Sequence, residues 1–582
     1  METYKNFFHS YRMPHENMDR LLPQSRRSNH IVVASCDQFF VLRLGKDPLD
    51  NPYRKDAASQ LEETSIYDQL LCIYRVSREN AKRSMAQDNS PNGNGMRKKV
   101  AKIGLLTSEN RKTWARLHKR LIHCDGGEGN VGTCSNTNTN TQSLNQIEDC
   151  LFVLCLDSLV SNNSNCSIGS SSNNSNDQSA GGEDNFTRQD MEDIEYAANV
   201  ILHGAGTKRF TANRWFDKFL QIIVGRDGIC GINIEHSASE GITVLRFLVE
   251  FLSFIQANPI IARGSIEENS KSDFSSENIN TVITPAHDSI SSSNYVEPES
   301  PSALLSASDK IIPLSWTLDK QLLEAIDSAE ERANKLVDNF SLKILNFTYF
   351  GRAFIKNQNL SPDAFVQLAL QYTFYKLHGQ LVSTYESASL RQFRFGRVDN
   401  IRANTCEAFN WIQSMLKCRQ RAEKTSLLEE ETIGNINWKP AEGSFIKAIT
   451  KQVEILRYTI VGGAPDNHLL ALKELAKLRF GSDDLPKVFT DESYKEFLNF
   501  RLSTSQLPNE SDIYVGYGAV VPDGYGCSYN PCENKIVFCV SSFHDCPETD
   551  SKKFASKLVE SLLEMKQLCL ARRSFDEDNH GH

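Results

Sequence analysis

Segments with regular apolar spacing alternate along the chain with long polar tracts. The apolar, β-branched segment His30–Leu44 predicts a strand, and Ala101–Thr107 predicts another. The runs Phe219–Val224 and Ile229–Ile234 predict a hairpin, because an Asp-Gly pair between them supplies the positive φ of a tight turn. Further short strands are predicted at Phe500–Thr504, Tyr517–Val521 and Lys535–Phe543.

Helical periodicity fills most of the remaining apolar sequence. One helix begins with Ser361 as N-cap and Pro362 in its first turn, and its apolar pattern runs to Leu381. The other predicted helices are Glu109–Cys124, Ile242–Ile255, Gln321–Phe340, 402–418, 442–460, 467–478 and Ser551–Ala571. Strands and helices alternate in both halves of the chain, which predicts an α/β fold with two domains.

Three polar tracts interrupt these elements, at about 85–98, 126–186 and 264–308. Apart from a short apolar segment at Cys150–Val160, they bury too little apolar surface to offset chain entropy, so we expect disordered loops or insertions. At roughly 100–200 residues per domain, 582 residues allow two to four domains. The predicted division is a domain at 1–318, a second at 319–574 and a tail at 575–582.

The charge balance limits the classes of binding partner. Lys plus Arg number 64 and Asp plus Glu number 73, a formal net charge of −9. This argues against a general nucleic-acid or anionic-membrane binder, which needs a basic face, and leaves room for a local basic patch. No apolar run approaches the roughly 20 residues that cross a bilayer, and Met1–Lys5 lacks an export-signal pattern. Fifteen cysteines without CxxC pairs predict free thiols in a reducing cytosol.

Three places carry candidate chemistry. His236 opens a turn of small residues after an apolar run, where an imidazole can take a proton from a hydroxyl or thiol. Ser505 ends a predicted strand, where a fixed hydroxyl can donate to a developing oxyanion. Arg352 and Lys356 precede the helix that begins at Ser361, and basic groups beside a helix N-terminus can hold phosphate. Taken singly, such residues are more often structural or solvated.

Longer motifs add to these positions. They are Asn213–Lys218, Glu235–Ser237, Leu360–Phe365, Tyr385–Arg391, Gly396–Arg402, Asp466–Leu472, Leu502–Gln506 and Val520–Gly526. In their residues and in their order these motifs resemble the choline/carnitine acyltransferase family, and within it the choline branch. The resemblance covers nearly the whole chain outside the polar tracts. The match begins near Tyr4–Phe8, which implies that the family's helical N-terminal region has no counterpart here and that the first domain is incomplete.

The resemblance implies two α/β domains like chloramphenicol acetyltransferase, with mixed sheets, flanking helices and an active-site tunnel between them. Coenzyme A would enter one mouth and a small alcohol the other. His236 would take the alcohol proton as the oxygen attacks the acetyl thioester, and would return it to the departing sulfur within a ternary complex. Ser505 would stabilise the tetrahedral oxyanion. Glu240 and Arg397 would pair and support the turn that bears His236.

The resemblance also implies a coenzyme A site. Lys356 would hold the 3′-phosphate, with Arg352 standing where family members commonly have lysine. Asp363, Ser387 and Gln506 match further coenzyme A contacts. Acetyl-CoA would then be a co-substrate, with no permanently bound cofactor and no metal.

The expected acceptor follows from charge. Carnitine carries a carboxylate that choline lacks, and a buried carboxylate needs a cationic or hydrogen-bonding partner. The carnitine enzymes have arginine where this chain has Asn467, and threonines where it has Val398 and Asn400, so we expect choline as acceptor and acetylcholine as product. Aromatic faces hold a trimethylammonium group for roughly 0.5–2 kcal/mol each. The matching tyrosines are Tyr375, Tyr385 and Tyr517.

For assembly and location, the resemblance implies a monomer in the cytosol, neuronal because the product is a neurotransmitter. Its partners would be choline and acetyl-CoA. Three alternatives stay open: a carnitine O-acyltransferase, a non-catalytic coenzyme A-binding homologue, and a hydrolase that uses His236. The hydrolase lacks a recognisable nucleophile elbow or triad partner.

Overall fold

The structure is a computed structural model that describes residues 7–8, 10–22, 29–44, 63–88, 100–124, 139–158, 188–258, 311–425, 436–510 and 513–579. The polar tract predicted at 264–308 lies outside the described residues, as do 89–99 and most of 126–186. No helix in the described ranges combines the length and the apolar character needed to cross a membrane.

Strands and helices alternate throughout the described chain. The strands are β1 (Tyr11–Met13), β2 (Arg20–Leu22), β3 (His30–Ser35), β4 (Gln38–Arg43), β5 (Val153–Asp157), β6 (Leu220–Gly225), β7 (Cys230–Ile234), β8 (Ile311–Pro313), β9 (Phe340–Phe347), β10 (Thr384–Ser389), β11 (Val398–Asn400), β12 (Leu502–Gln506), β13 (Tyr525–Pro531) and β14 (Ile536–Phe543). The helices are α1 (Glu63–Asp88), α2 (Arg111–His123), α3 (Thr139–Asp149), α4 (Arg188–His203), α5 (Gly241–Ala257), α6 (Lys320–Asn339), α7 (Arg352–Asn357), α8 (Pro362–His378), α9 (Cys406–Thr425), α10 (Glu442–Ile460), α11 (Pro465–Phe480), α12 (Glu492–Phe497) and α13 (Ser551–Asn579).

Two mixed sheets of six strands organise these elements. The first has the order β7-β6-β5-β3-β4-β8, in which β3, β5 and β6 are parallel. The second has the order β11-β10-β12-β13-β14-β9, in which β10, β12 and β13 are parallel. The arrangement confirms the predicted α/β fold with two mixed sheets and flanking helices.

Each sheet has its own apolar core. Trp114 and Trp215 are fully buried in the first core, and α6 packs into it through Leu322, Ile326 and Ala329 before the chain enters β9. Helix α6 lies beyond the boundary predicted at 318 and packs with the first core.

The second sheet has two differently covered faces. One face packs against α8 and α13, with Leu502, Cys527 and Phe538 in the core between them. The other face is covered by α4 from the first half, whose apolar side contacts Leu342 and Ile344 of β9. Because α4 carries the first half onto this face, the residues exposed along it lie at the junction of the two halves.

Two predicted strands of the first half have different structures. His30–Leu44 is a hairpin, in which Cys36 and Asp37 form the turn with φ of 50° and 61°. Such turns favour Gly, Asn or Asp. Because the first position is a cysteine, the sequence does not predict the turn. Most of Ala101–Thr107 belongs instead to a 3-10 helix, Ile103–Ser108. Its apolar residues are all buried, so no periodicity distinguishes it from a strand.

The segment Tyr517–Val521, predicted as a strand, has no strand structure. It crosses the face of the second sheet, where the Val515 and Tyr517 carbonyls accept hydrogen bonds from the Ser528 and Ser541 hydroxyls. The strand is β13, which follows it. Its residues, Tyr-Gly-Cys-Ser-Tyr-Asn-Pro, are buried on both faces without an apolar alternation that would mark a strand.

The polar tract predicted at 126–186 contains α3 and β5, and β5 lies between β3 and β6. Polar residues support this part from within: the buried Asn140 side chain donates to the Leu121 and Thr317 carbonyls, at 2.9 and 2.8 Å. At the other end of the chain, α13 runs to Asn579 and includes most of the predicted tail. Helix α8 ends at His378 rather than Leu381, because Gly379 adopts a φ of 70°.

Candidate functional site

The turn that bears His236 is held by a residue from the other half of the molecule. Arg397 donates through Nη2 to the His236 carbonyl at 2.8 Å and through Nη1 to the Ser237 carbonyl at 2.6 Å. Its Nε donates to Glu240 Oε1 at 2.6 Å. Three bonds from one planar guanidinium therefore fix both ends of the turn between β7 and α5.

The imidazole of His236 projects from this turn with 62% of its side chain exposed. Its Nε2 lies 3.6 Å from Glu240 Oε2, beyond ordinary hydrogen-bond length but close enough for electrostatic attraction. Glu240 is largely buried, and its other oxygen is bound by Arg397. The ring is thus accessible to a substrate and lies beside the Glu240 carboxylate.

Ser505 lies on the sheet face that meets the first half. In the register of β10, β12 and β13, Ser503 is opposite both Tyr385 and Gly526. Side chains alternate along a strand, so Ser505 shares this face with Ser503 and Tyr385. The Ser505 hydroxyl has no hydrogen-bond partner among the residues that the structure describes.

The end of β12 also approaches the turn that carries His236. A Cβ added to Gly241 at the start of α5 would lie 3.3 Å from a Leu507 methyl. Leu507 is two residues beyond Ser505, so the proposed base and oxyanion donor belong to neighbouring segments. The structure brings the two sequence-predicted catalytic residues to the same junction.

Two of the predicted tyrosines lie at this junction. The Tyr517 hydroxyl donates to the Ser503 carbonyl at 2.8 Å, and the Ser387 hydroxyl donates to the Tyr385 hydroxyl at 3.1 Å. Burial raises the pKa of both phenols above the ordinary tyrosine value. They are therefore neutral at physiological pH, and their attraction for a cation would come from the ring faces.

Tyr375 lies elsewhere. Its hydroxyl accepts a hydrogen bond from Gln413 at 2.8 Å, and its ring packs edge-on against Phe409 of α9. It belongs to the helical layer on the opposite side of the second sheet from Ser505. The phase of α8 directs it there, so the structure does not bring it to the other predicted acceptor residues.

The residues expected to discriminate acceptors divide into two groups. Asn467 is exposed at the start of α11, and its Nδ2 donates to the Val398 carbonyl at 2.8 Å. Asn400 is buried instead: Glu386 donates its backbone N–H to Asn400 Oδ1 at 2.9 Å, and Nδ2 donates to Asp466 at 3.3 Å. Asn467 and Val398 therefore form an accessible edge, which we call the acceptor edge, while Asn400 supports it from below.

The predicted coenzyme A residues cluster where β12 and β13 end. The Arg352 backbone N–H donates to the Cys532 carbonyl, and its guanidinium pairs with Glu510 at 2.7 Å, which raises its pKa. Lys356, one turn further along α7, is exposed and makes no ion pair with a described residue. Of the two cations, Lys356 is the one available to an anionic ligand.

Asp363 occupies the inner part of the same edge. It accepts a hydrogen bond from the Tyr529 hydroxyl at 2.6 Å, and burial raises its pKa. Gln506 is opposite Tyr529 in the strand register, so it ends beside this pair. The buried Glu386 adjoins Asp363, and burial followed by the Asp363 charge raises its pKa well above the ordinary value. Ser387, by contrast, is exposed on β10.

Two residues that support the His236 turn carried no sequence prediction. Glu235 Oε2 accepts the Ser237 N–H at 3.0 Å, and Arg12 Nη1 donates to Glu235 Oε1 at 3.2 Å. The only available signal was the acidic residue directly before the histidine. Within the described ranges, no group of three or more His, Cys, Asp or Glu side chains is arranged to hold a metal ion.

Comparison with known proteins places this geometry in context. Residues 1–560 match the family profile described as Choline/Carnitine o-acyltransferase. A choline O-acetyltransferase from Sus scrofa is 34% identical over 581 residues, covering 99% of this chain and 72% of the pig protein. One from Drosophila melanogaster is 31% identical, covering 98% and 68%. A carnitine O-acetyltransferase from Mus musculus is 29% identical, covering 98% and 72%.

Proposed function

Because the chain belongs to the choline/carnitine O-acyltransferase family, we propose that it transfers the acetyl group of acetyl-CoA to the hydroxyl of choline, giving acetylcholine. One observation carries the choice of acceptor: the acceptor edge has Asn467 and Val398 where a carnitine carboxylate would need a cation. The arginines at either end of β11 already form ion pairs, Arg397 with Glu240 and Arg402 with Asp466. Neither arginine is therefore free to pair with a carboxylate bound at this edge.

His236 would act as the general base. Its exposed ring takes the choline hydroxyl proton as the oxygen attacks the thioester carbonyl, and then returns that proton to the departing coenzyme A sulfur. The Glu240 carboxylate lies beside the ring, with its Oε2 3.6 Å from Nε2. Both substrates would meet in one ternary complex, so no acyl-enzyme is required.

Ser505 would donate its hydroxyl hydrogen to the oxygen that becomes negative in the tetrahedral intermediate. The position of Ser505 in a strand with neighbours on both sides supports this role, because a donor held in place needs no reorganisation during the reaction. Tyr385 and Tyr517 would present ring faces to the trimethylammonium group. Tyr375 would contribute only through packing.

Coenzyme A would lie along the edge where β12 and β13 end. Lys356 is proposed to hold the 3′-phosphate, since its ammonium is exposed and makes no ion pair with a residue that the structure describes. Arg352 would be a second cation, shared with Glu510. Asp363, Gln506 and Ser387 would contact the rest of the molecule. Acetyl-CoA is a co-substrate in this proposal.

The proposed site of action is the cytosol, with a monomer as the working unit. Buried free thiols support a reducing compartment: Cys155, Cys527 and Cys569 lie in the two cores. A neuronal setting would follow from the proposed product.

Release of free coenzyme A tests the function and its rivals together. The purified chain is supplied with acetyl-CoA and with choline, carnitine or no alcohol. The proposal predicts thiol release that depends on choline and is lost in His236→Ala. Dependence on carnitine would favour the carnitine acyltransferase, release without an alcohol a hydrolase, and coenzyme A binding without release a non-catalytic homologue.

A further inference from the structure

Arg402, just beyond β11, lies between two aromatic rings. Its guanidinium carbon is 3.5 Å from the centroid of Phe497 and 5.0 Å from that of Phe500. The side chain is only 16% exposed. An arginine held in this way has its plane fixed by stacking as well as by hydrogen bonds.

The polar edge of the same guanidinium is also bound. Nε and Nη2 donate to the two oxygens of Asp466, at 3.1 and 2.5 Å. Nη1 donates to Ser383 Oγ at 2.5 Å and to the Phe497 carbonyl at 2.7 Å. Four hydrogen bonds therefore hold the Arg402 guanidinium in place.

One consequence of this position reaches Tyr385. The Phe500 ring that faces Arg402 also packs edge-on against the Tyr385 ring, with centroids 5.4 Å apart. Tyr385 stands on the sheet face of Ser505. Arg402 therefore fixes Phe500, and Phe500 fixes one side of the Tyr385 ring.

A second consequence reaches the acceptor edge. Asp466, bound by Arg402, accepts from Asn400 and directly precedes Asn467 in the first turn of α11. The Asn467 N–H donates to Asp399 at 3.2 Å, and its side chain donates to the Val398 carbonyl. The start of α11 and β11 are thus joined through Arg402 and Asp466.

We propose that Arg402 is a positioning residue for the acceptor alcohol, one that sets both the Tyr385 ring and the acceptor edge without touching the reacting atoms. This rests on the proposed function, because the acceptor is the substrate concerned. The inference concerns binding of the acceptor only. Acetyl-CoA, held at the ends of β12 and β13, is expected to be unaffected.

Arg402→Lys tests the proposal, because it keeps the charge beside Asp466 but removes the planar fork and the stacking. We expect the choline KM to rise about tenfold or more, equivalent to about 1.4 kcal/mol. The acetyl-CoA KM, and kcat at saturating choline, should change less than about threefold. The matched control is Arg419→Lys. Arg419 lies on α9, in the helical layer on the other side of the second sheet, and pairs with Glu564 at 3.0 Å. It should lower thermal stability without moving the choline KM.

A second pair of variants keeps the test decisive if Arg402→Lys does not fold. Phe500→Leu removes the ring between Arg402 and Tyr385 and should raise the choline KM. Phe500→Tyr keeps the ring and should keep the choline KM near the wild-type value. Equal losses in kcat and both KM values, or the same choline KM shift in Arg419→Lys, would overturn the inference. Wild-type protein that does not acetylate choline would instead overturn the proposed function, and this inference with it.

Discussion

Arg397 holds His236 through the backbone: its Nη2 lies 2.8 Å from the His236 carbonyl oxygen. The imidazole itself is mostly exposed, with its Nε2 3.6 Å from Glu240 Oε2. At the same time the backbone beneath it is fixed from the other half of the molecule. The geometry of the proposed base thus depends on how the two halves pack.

Replacing Arg397 by lysine should lower kcat without much change in either KM. An ammonium can satisfy one of the three acceptors that the guanidinium binds, which leaves the largely buried Glu240 and a carbonyl unpaired. Losing one or two such bonds, about 1.4–2.8 kcal/mol in all, predicts a kcat about 10–100-fold lower. Steady-state kinetics with both substrates varied measures this.

A double-mutant cycle controls that experiment. Glu240→Gln keeps the shape of the side chain and removes the charge that Arg397 binds. If the two residues act as one unit, the combined variant should lose less than the product of the single losses. Independent, multiplying losses would contradict the assigned role of the pair.

Changing the acceptor edge should change the acceptor. Asn467→Arg, alone or with Val398→Thr, supplies a cation and a hydroxyl for a carboxylate. The ratio of kcat/KM for carnitine over choline should rise at least about tenfold, since a charged hydrogen bond contributes roughly 1.5–3 kcal/mol. An unchanged ratio in a folded variant would argue against this edge as the acceptor site.

Asn400→Thr should act differently from Val398→Thr. It removes the acceptor for the Glu386 N–H and a donor to Asp466, both buried, so it should reduce the free energy of unfolding by about 1–3 kcal/mol. Val398→Thr, whose side chain is half-buried on a three-residue strand, should change stability much less. Thermal denaturation of the two single variants distinguishes them. Equal stability would mean that Asn400 is not the support inferred from its bonds.

Lys356→Met should weaken the binding of acetyl-CoA more than the binding of acetyl-3′-dephospho-CoA. If its ammonium binds the 3′-phosphate, the acetyl-CoA KM should rise about tenfold while the dephospho analogue is little affected. Arg352→Met is the matched comparison and should have the smaller effect, because Glu510 already shares its charge. The same change for both co-substrates would place the phosphate elsewhere.

His203 should make folding sensitive to acid. Burial lowers its pKa to about 4, and the ring is held neutral, with Nδ1 accepting the Ala205 N–H and Nε2 beside Asn199. The unfolded chain binds its proton near pH 6.5, so the unfolding free energy should rise with pH between about 4 and 6.5 and be lost as pH falls through that range. Partial exposure limits the effect to about 1–3 kcal/mol.

His203→Asn keeps an acceptor for the Ala205 N–H but cannot titrate. Urea denaturation at several pH values should give a flatter profile for this variant between pH 4 and 6.5. His123→Asn, on the surface at the end of α2, serves as the control and should retain the wild-type slope. Parallel profiles for all three proteins would exclude His203 as the source.

The sequence predicted those elements whose structure is determined by residues close together in the chain. The hairpin of β6 and β7 follows from its Asp-Gly turn, and the start of α8 follows from Ser361 and Pro362. Strand β5 was hidden in a polar tract because its place depends on parallel partners far along the chain, β3 and β6. No local pattern reports such pairing.

The site divides in the same way. His236 and Ser505 could be singled out from their positions near the ends of predicted strands, but the bond between His236 and Arg397 joins residues 161 positions apart. The family resemblance implied only the pairing of Arg397 with Glu240, and spacing predicted neither bond. The stacking of Arg402 against Phe497, 95 positions away, escaped both kinds of reasoning because it depends on tertiary packing alone.

Internal competition for the acceptor tests the central claim most directly. Purified protein is given acetyl-CoA with an equimolar mixture of choline and carnitine, and both acetylated products are quantified by mass spectrometry. The account predicts acetylcholine in at least about 100-fold excess over acetylcarnitine. It also predicts total product about 10²–10⁴-fold lower for His236→Ala. Acetylcarnitine as the main product, or undiminished acetylcholine from His236→Ala, would contradict it.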